Sequence, residues 1–307
     1  MRKRLFTLVL ALTMVLTLLA GCGADGGQAP ASGGPDSAPD GVKTGGTILI
    51  GQSAEPITLN PNGKTDGSMD IIAQNVFSRL MKTNNNEEVI PDLATGYTVS
   101  EDGLTYTFTL PENVKFHDGE PLTSDDVQFT FETILEQQCF AATSLANVES
   151  VTCPDEYTVV FQLKQMDARF LCTLAYNGVY ILPRHVYEGQ DWMGDDSMQT
   201  PVGTGPFRFS EWQKGVSITL ERNPEFFRGP ELPYLDSVIY SYIADANTAM
   251  QSFYNGELDV LGIFAPSSEL ENMQNNSALI NFKTIYPSRF YLCFDMTRAP
   301  FDDLNFR

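Results

Sequence analysis

Few residues in this sequence have the type and spacing that catalysis needs. Its two histidines, His117 and His185, lie far apart in the chain, so a histidine base or a His-rich metal cluster has only these positions to draw on. There is no Gly-x-Ser-x-Gly, no His-Glu-x-x-His and no nucleophile set beside a base. Asp125 and Asp126 could form a metal or acid/base pair. They follow Thr123-Ser124, however, and precede the apolar series Val127, Phe131, Ile134 and Leu135, which is the pattern of a helix start. Thr123 then serves as the cap and Asp126 as the acidic third position of a capping box, where a carboxylate also complements the helix dipole. His117-Asp118-Gly119 reads as a turn. The spacings of Cys139, Cys153, Cys172 and Cys293 match no zinc pattern. Scattered and flanked by apolar residues, these cysteines read as buried free thiols, with one disulfide among the first three as the alternative. No catalytic residue, metal ligand or cofactor is assigned.

Cys22 has a different context. Arg2-Lys3-Arg4 form a basic start, residues 5–18 form an uncharged apolar stretch, and Leu19-Ala20-Gly21-Cys22 resembles a bacterial lipobox, in which the cysteine thiol is acylated before cleavage. About 16 apolar residues fall short of the roughly 20 that a spanning helix needs. Residues 1–21 are therefore read as a lipoprotein signal peptide and Cys22 as the lipidation site, with two or three acyl chains making membrane residence stable. Losing Arg2, Lys3 and Arg4 with the leader takes the net charge from −20 to −23. Residues 22–45, rich in Gly, Ala, Ser, Pro and Asp, cannot offset the entropy of ordering and read as a tether. The folded body is thus expected outside the cytoplasm, anchored to the outer face of the plasma membrane or in the periplasm.

With 307 residues the chain can form two domains on a loose prior of about 150 residues each. A composition of 42% hydrophobic and 19% charged residues is that of a globular chain. A net charge of −20, with no basic run beyond residue 4, sets a repulsive term against any phosphate backbone and excludes nucleic acid as a partner. From residue 46 onward short β-rich runs alternate with amphipathic helices, so the fold class is α/β. A strand is expected at 47–51 and a helix at about 68–82, the latter from Ile71, Ile72, Val76, Phe77, Leu80 and Met81. Tyr106, Phe108 and Leu110 alternate with threonines as in a half-buried strand. A hairpin is expected at 148–163, a helical turn at 169–176, strands at 207–212, 217–221, 237–243, 258–263 and 280–295, and a helix capped by Asp245 and ended by Gly256. Residues 201–207, Pro-Val-Gly-Thr-Gly-Pro-Phe, form a loop whose Gly203 and Gly205 are expected at positive φ; without a following Lys-Ser or Lys-Thr it is no phosphate cradle.

Three blocks in order resemble the extracytoplasmic solute-binding proteins of the peptide/nickel importer family, receptors of ATP-binding-cassette transporters. They are Pro91-Asp92-Leu93-Ala94 with Tyr106 to Leu110 and Val114-Lys115-Phe116-His117-Asp118-Gly119; Pro201 to Phe207 with Glu221-Arg222-Asn223-Pro224; and Asn255-Gly256-Glu257-Leu258-Asp259. The resemblance implies a two-lobed, type II periplasmic-binding-protein-like fold. Lobe I would comprise 46–87 and 201–287, with 88–200 as an inserted subdomain and 288–307 as the hinge and start of lobe II, most of which is expected to be missing from a chain that stops at Arg307. It also implies a monomer that captures di- and oligopeptides and delivers them to permease subunits with a cytoplasmic ATPase. A nickel-chelate or haem receptor of the same family is the alternative ligand class, and an extracytoplasmic enzyme or adhesin lipoprotein the alternative of another kind. Candidate ligand contacts are Tyr176, Asn177, Thr204, Arg289 and Tyr291, each with a packing role as its structural alternative. Arg289 could hold a peptide carboxylate by a bidentate pair.

Overall fold

Alternating threonine and aromatic residues at 105–110 put Tyr106, Phe108 and Leu110 on one buried face, as a period of two requires. In the computed structural model of the chain, residues 43–64, 66–84, 86–176, 178–194, 198–262 and 268–280 are described. The folded body begins at Thr44. The leader, most of the tether, Asn177, Arg289, Tyr291, Cys293 and all but the first residue of the strand expected at 280–295 lie outside the described residues.

In chain order the elements are β1 (Thr47–Gln52), α1 (Gly67–Val76), β2 (Met81–Thr83), β3 (Val89–Pro91), β4 (Gly96–Val99), β5 (Thr105–Thr109), α2 (Ser124–Glu136), β6 (Val148–Asp155) and β7 (Thr158–Leu163). They continue as α3 (Phe170–Leu174), α4 (Arg184–Tyr187), β8 (Phe207–Gln213), β9 (Ser217–Arg222), β10 (Ser237–Tyr242), α5 (Ala246–Tyr254), β11 (Val260–Leu261) and α6 (Leu270–Asn275). Among the described residues a five-stranded sheet has the order β11-β1-β10-β9-β8, with β1 parallel to both β10 and β11 and the β8–β9–β10 run antiparallel. A four-stranded antiparallel sheet, β4-β5-β7-β6, is built wholly from the excursion between β1 and β10, and β2-β3 form a short ribbon. The connection β10–α5–β11 crosses over β1, which a parallel pairing demands.

The capping box at α2 is present: the Asp126 carboxylate accepts from the backbone N–H of Thr123 at 2.9 Å, and its other oxygen accepts from the Arg184 N–H at 2.9 Å. Asp126 therefore ties α2 to α4, and acid/base work is not its role. Phe131 and Phe108 meet Phe161 edge-on at 4.8 and 5.6 Å. Each such ring contributes roughly 2–3 kcal/mol by burial, and edge-to-face pairs add to this.

The helix expected over 68–82 stops at Val76. Phe77 turns extended, and Leu80 and Met81 enter β2 and its approach, keeping their buried face by a different geometry. The inward stripe of α1 is Met69, Ile72, Ala73 and Val76, while Ile71 is partly exposed. Cys139 is buried, Cys153 half-buried and Cys172 exposed, all three with free thiols. The expectation of burial thus fails at Cys172, which sits on the outer side of the single-turn α3.

Candidate functional site

In open α/β sheets ligands bind outside the carboxyl ends of parallel strands. Here that edge lies beyond Gln52 of β1, Tyr242 of β10 and Leu261 of β11. Leaving β1, the chain runs through residues 53–66, whose turn-forming Asn60-Pro61-Asn62-Gly63 is buried with Thr58 and Leu59. Irregular backbone can be buried only where its polar groups are satisfied. Asn60 Oδ1 accepts from the N–H groups of Asn62 and Gly63 at 3.0 and 3.2 Å, and Asn60 Nδ2 donates to the Trp192 carbonyl at 3.1 Å. Asn62 grips Tyr180 from both sides, donating to its carbonyl at 2.7 Å and accepting from its N–H at 2.9 Å. Glu55 accepts from Trp212 Nε1 at 2.6 Å and from the Gly215 N–H at 2.7 Å, pinning the start of the loop to the β8–β9 hairpin.

This loop reaches the turn that holds Tyr176. The Phe140 N–H donates to the Gly63 carbonyl at 2.9 Å. Gly178, at φ +84°, brings its turn so close that a Cβ there would lie 3.1 Å from Phe140 Cδ1. Phe140 and Tyr176 are 46% and 58% exposed, so two aromatic side chains are presented from the turns that the 53–64 loop contacts. Ile57 is exposed on the 53–64 loop itself. At the carboxyl end of β10 the Tyr242 hydroxyl is buried, has no hydrogen-bond partner among the described residues, and is held protonated by burial, with the charge of Glu55 adding to the effect. A neutral hydroxyl and exposed aromatic faces suit the binding of a polar organic solute, while Asn60 and Asn62 are spent on holding the loop. Phe140, Tyr242 and the 53–64 loop were missed by motif reading; their one visible signal is the run of turn formers at Asn60 to Gly63.

Thr204 sits elsewhere. It is 1% exposed, with its Oγ1 unpartnered among the described residues, so the 201–207 loop is internal to the fold. The His117 N–H donates to the Gly203 carbonyl at 2.9 Å, the Gly203 N–H donates to His117 Nδ1 at 3.3 Å, and His117 Nε2 reaches the Gly205 carbonyl at 3.0 Å. Asn223 Nδ2 donates to that same carbonyl at 3.0 Å. The imidazole must be neutral, carrying its proton on Nε2, to make both contacts. Burial, reinforced by the Arg208 charge, lowers its pKa from 6.5 to about 4. The expectation of positive φ at Gly203 and Gly205 is wrong: neither has it, and both glycines are required by close approach to the end of α1. His185 Nε2 meets Asp118 Oδ2 at 2.8 Å. Among the described residues no three His, Cys, Asp or Glu side chains are grouped to hold a metal.

Residues 88–307 match the family described as bacterial extracellular solute-binding proteins, family 5, middle. The chain belongs to that family. The oligopeptide-binding protein AppA of Bacillus subtilis strain 168 is 31% identical over 287 residues, covering 91% of this chain and 52% of AppA. A putative ABC transporter peptide-binding protein of Brucella ovis is 34% identical over 231 residues, 72% of this chain and 42% of its own. Among solved structures, AppA in complex with a nonapeptide superposes with a TM-score of 0.68 at 30% identity, over 76% of this chain and 46% of that one. MoaA from A. tumefaciens R10 in complex with mannopinic acid gives a TM-score of 0.76 at 28% identity, over 85% and 53%. This member of family 5 spans about half the length of the curated relatives it matches. Its α/β fold is that of the type II binding proteins, and the family is one of solute binders rather than enzymes. Among the described residues no helix is long and apolar enough to cross a membrane.

Proposed function

We propose that this chain is the peptide-capturing component of an ATP-binding-cassette importer, delivering di- to oligopeptides to the membrane permease. The observation that carries the reading is 31% identity across 91% of the chain to an oligopeptide-binding protein. The carboxyl edge supports it, since the unpartnered Tyr242 hydroxyl and the exposed faces of Phe140 and Tyr176 offer a polar donor and apolar contact to an extended peptide, whose side chains can sit in wet pockets. Tyr176, Asn177, Arg289 and Tyr291 are the proposed contacts, with Phe140 added beside Tyr176; Thr204 is retained as support for the loop. Residues 46–87 and 201–287 form the proposed lobe, carrying 88–200 as its inserted subdomain. A nickel chelate is less favoured, because His117 spends both ring nitrogens inside the fold and His185 pairs with Asp118. Native mass spectrometry of residues 22–307 mixed with di- to nonapeptides is expected to retain peptide. Retention of Ni(His) or a sugar acid in its place, or of no peptide at about millimolar concentration, overturns the reading.

The same proposal places the chain on the outer face of the membrane as a monomer, held by lipid on Cys22. Cys22→Ser is expected to leave the leader uncleaved or to move the protein to the soluble fraction. Unchanged processing and membrane retention would contradict lipidation.

A further inference from the structure

The far edge of the five-stranded sheet holds a second feature. The register pairs Thr47 with Ser237, Ser237 with Glu221 and Glu221 with Arg208, which gathers the start of β1, both ends of the β9–β10 connection and the start of β8 at one edge. A cavity of about 360 Å³ opens there between the 223–236 connection and the segment that follows α1.

The cavity lining is of two kinds. Phe77, Phe226, Leu232 and Pro233 are apolar. Among the lining's polar groups, two cations meet one carboxylate: Arg228 and Lys82 both reach Asp92 Oδ1, Lys82 at 3.6 Å, while Asp92 Oδ2 accepts the Arg79 backbone N–H at 2.9 Å. The Arg79 guanidinium lies over the Tyr180 ring, 4.8 Å from its centroid. Positive groups thus outnumber negative ones three to one on the lining of a cavity in a chain of net charge −20. Burial and the neighbouring Arg228 and Arg79 charges act against the Lys82 ammonium, only partly offset by Asp92. The Lys82 and Arg228 side chains are 28% and 31% exposed, so a ligand can reach both. The volume lies within the range of about 300–1,000 Å³ typical of small-molecule sites.

We infer that this cavity binds small organic carboxylates with an aromatic or branched apolar tail, the head between Lys82 and Arg228 and the tail against Phe77, Phe226 and Leu232. A second carboxylate there shares with Asp92 the charge of Lys82 and Arg228 and gains charge-assisted hydrogen bonds. The proposal is independent of the peptide reading in the side chains it uses, Lys82, Arg228, Phe77, Phe226 and Leu232, none of which is a proposed peptide contact. The two share only Tyr180, which lines the cavity and is held by Asn62 of the 53–64 loop.

Calorimetry with 3-phenylpropionate on the chain from Cys22 onward tests it, with 3-phenylpropanol and inorganic phosphate as comparison ligands. The acid is expected to bind at about millimolar or tighter and both others at least about tenfold more weakly. Lys82→Met, which leaves Arg228 on Asp92, is expected to weaken the acid by about tenfold or more while native mass spectrometry of peptides is unchanged. Equal binding of acid and alcohol in the unaltered protein shows that charge plays no part and overturns the inference without need of a variant. Phosphate binding as tight as the acid, no acid bound at about 10 mM, or full acid binding in a folded Lys82→Met protein overturns it equally.

Discussion

Alanine at Gly205 is expected to destabilise the fold by about 3 kcal/mol or more, and alanine at Gly203 by a similar amount. A Cβ on Gly205 would stand 2.4 Å from the Asn75 carbonyl oxygen and 2.6 Å from the Val76 carbonyl carbon; on Gly203 it would stand 2.1 Å from the Val76 oxygen. These neighbours are backbone at the end of α1, which cannot rotate away as a side chain would. The helix end depends on that approach, because the Gly205 N–H donates to the Val76 carbonyl at 2.9 Å, supplying a partner for one of the last carbonyls that the helix leaves open. Pushing the loop outward also strains the contacts that His117 and Asn223 make to the Gly203 and Gly205 carbonyls. Gly119 provides the contrast. It has φ +95° and nothing within 4 Å of a built Cβ, so alanine there meets backbone strain alone, about 1 kcal/mol. Urea unfolding of the three variants checks the order. A loss at Gly203 and Gly205 no larger than that at Gly119 would show that close approach is not what fixes this loop.

The difference between those glycines marks where the sequence stopped being legible. Proline on both sides of Gly203-Thr204-Gly205 announces a defined path, and that much could be read. Whether a glycine is needed for its φ or for the space of a missing Cβ depends on what packs against it, and Val76 lies far earlier in the chain. The hairpins, the α2 capping box and the helix at Asp245 were readable because their signals are local and their periods are clean. The end of α1 was not: Leu80 and Met81 fit a helical stripe and a strand face equally, and the choice is made by pairing with β3 and by the 201–207 loop. In the candidate site the same rule holds. Tyr176 stood out as an aromatic, but Phe140 gains its place beside it only through Gly63 and Gly178. The carboxyl edge itself exists only once β1 has paired with β10 and β11, both of which come much later in the chain.

His117 makes that assembly sensitive to acid. Its Nδ1 accepts a hydrogen bond from the Gly203 N–H, so a second ring proton has nowhere to go without breaking the contact. In the folded protein burial holds its pKa at about 4, against 6.5 for the free side chain. Above pH 6.5 the ring is neutral in both states and its contribution to stability is complete. Between 6.5 and 4 the unfolded chain takes up the proton and the folded chain does not, so stability falls with pH; below 4 the contribution is lost. At ~1.4 kcal/mol per tenfold change the full difference would be about 3 kcal/mol, and partial solvent contact of the ring reduces it to about 2 kcal/mol. Asp126 works the other way, since burial raises its pKa and favours the folded state as the medium becomes acidic. The measurement is therefore a difference. His117→Gln can still donate to the Gly205 carbonyl but has no group that titrates. Unfolding free energies of both proteins, followed from neutral pH down to about pH 4, should therefore converge by about 2 kcal/mol as pH falls. Parallel curves over that window would mean that the imidazole titrates alike in the folded and unfolded chains, and that the loop is held by its glycines and Asn223 without help from the neutral ring.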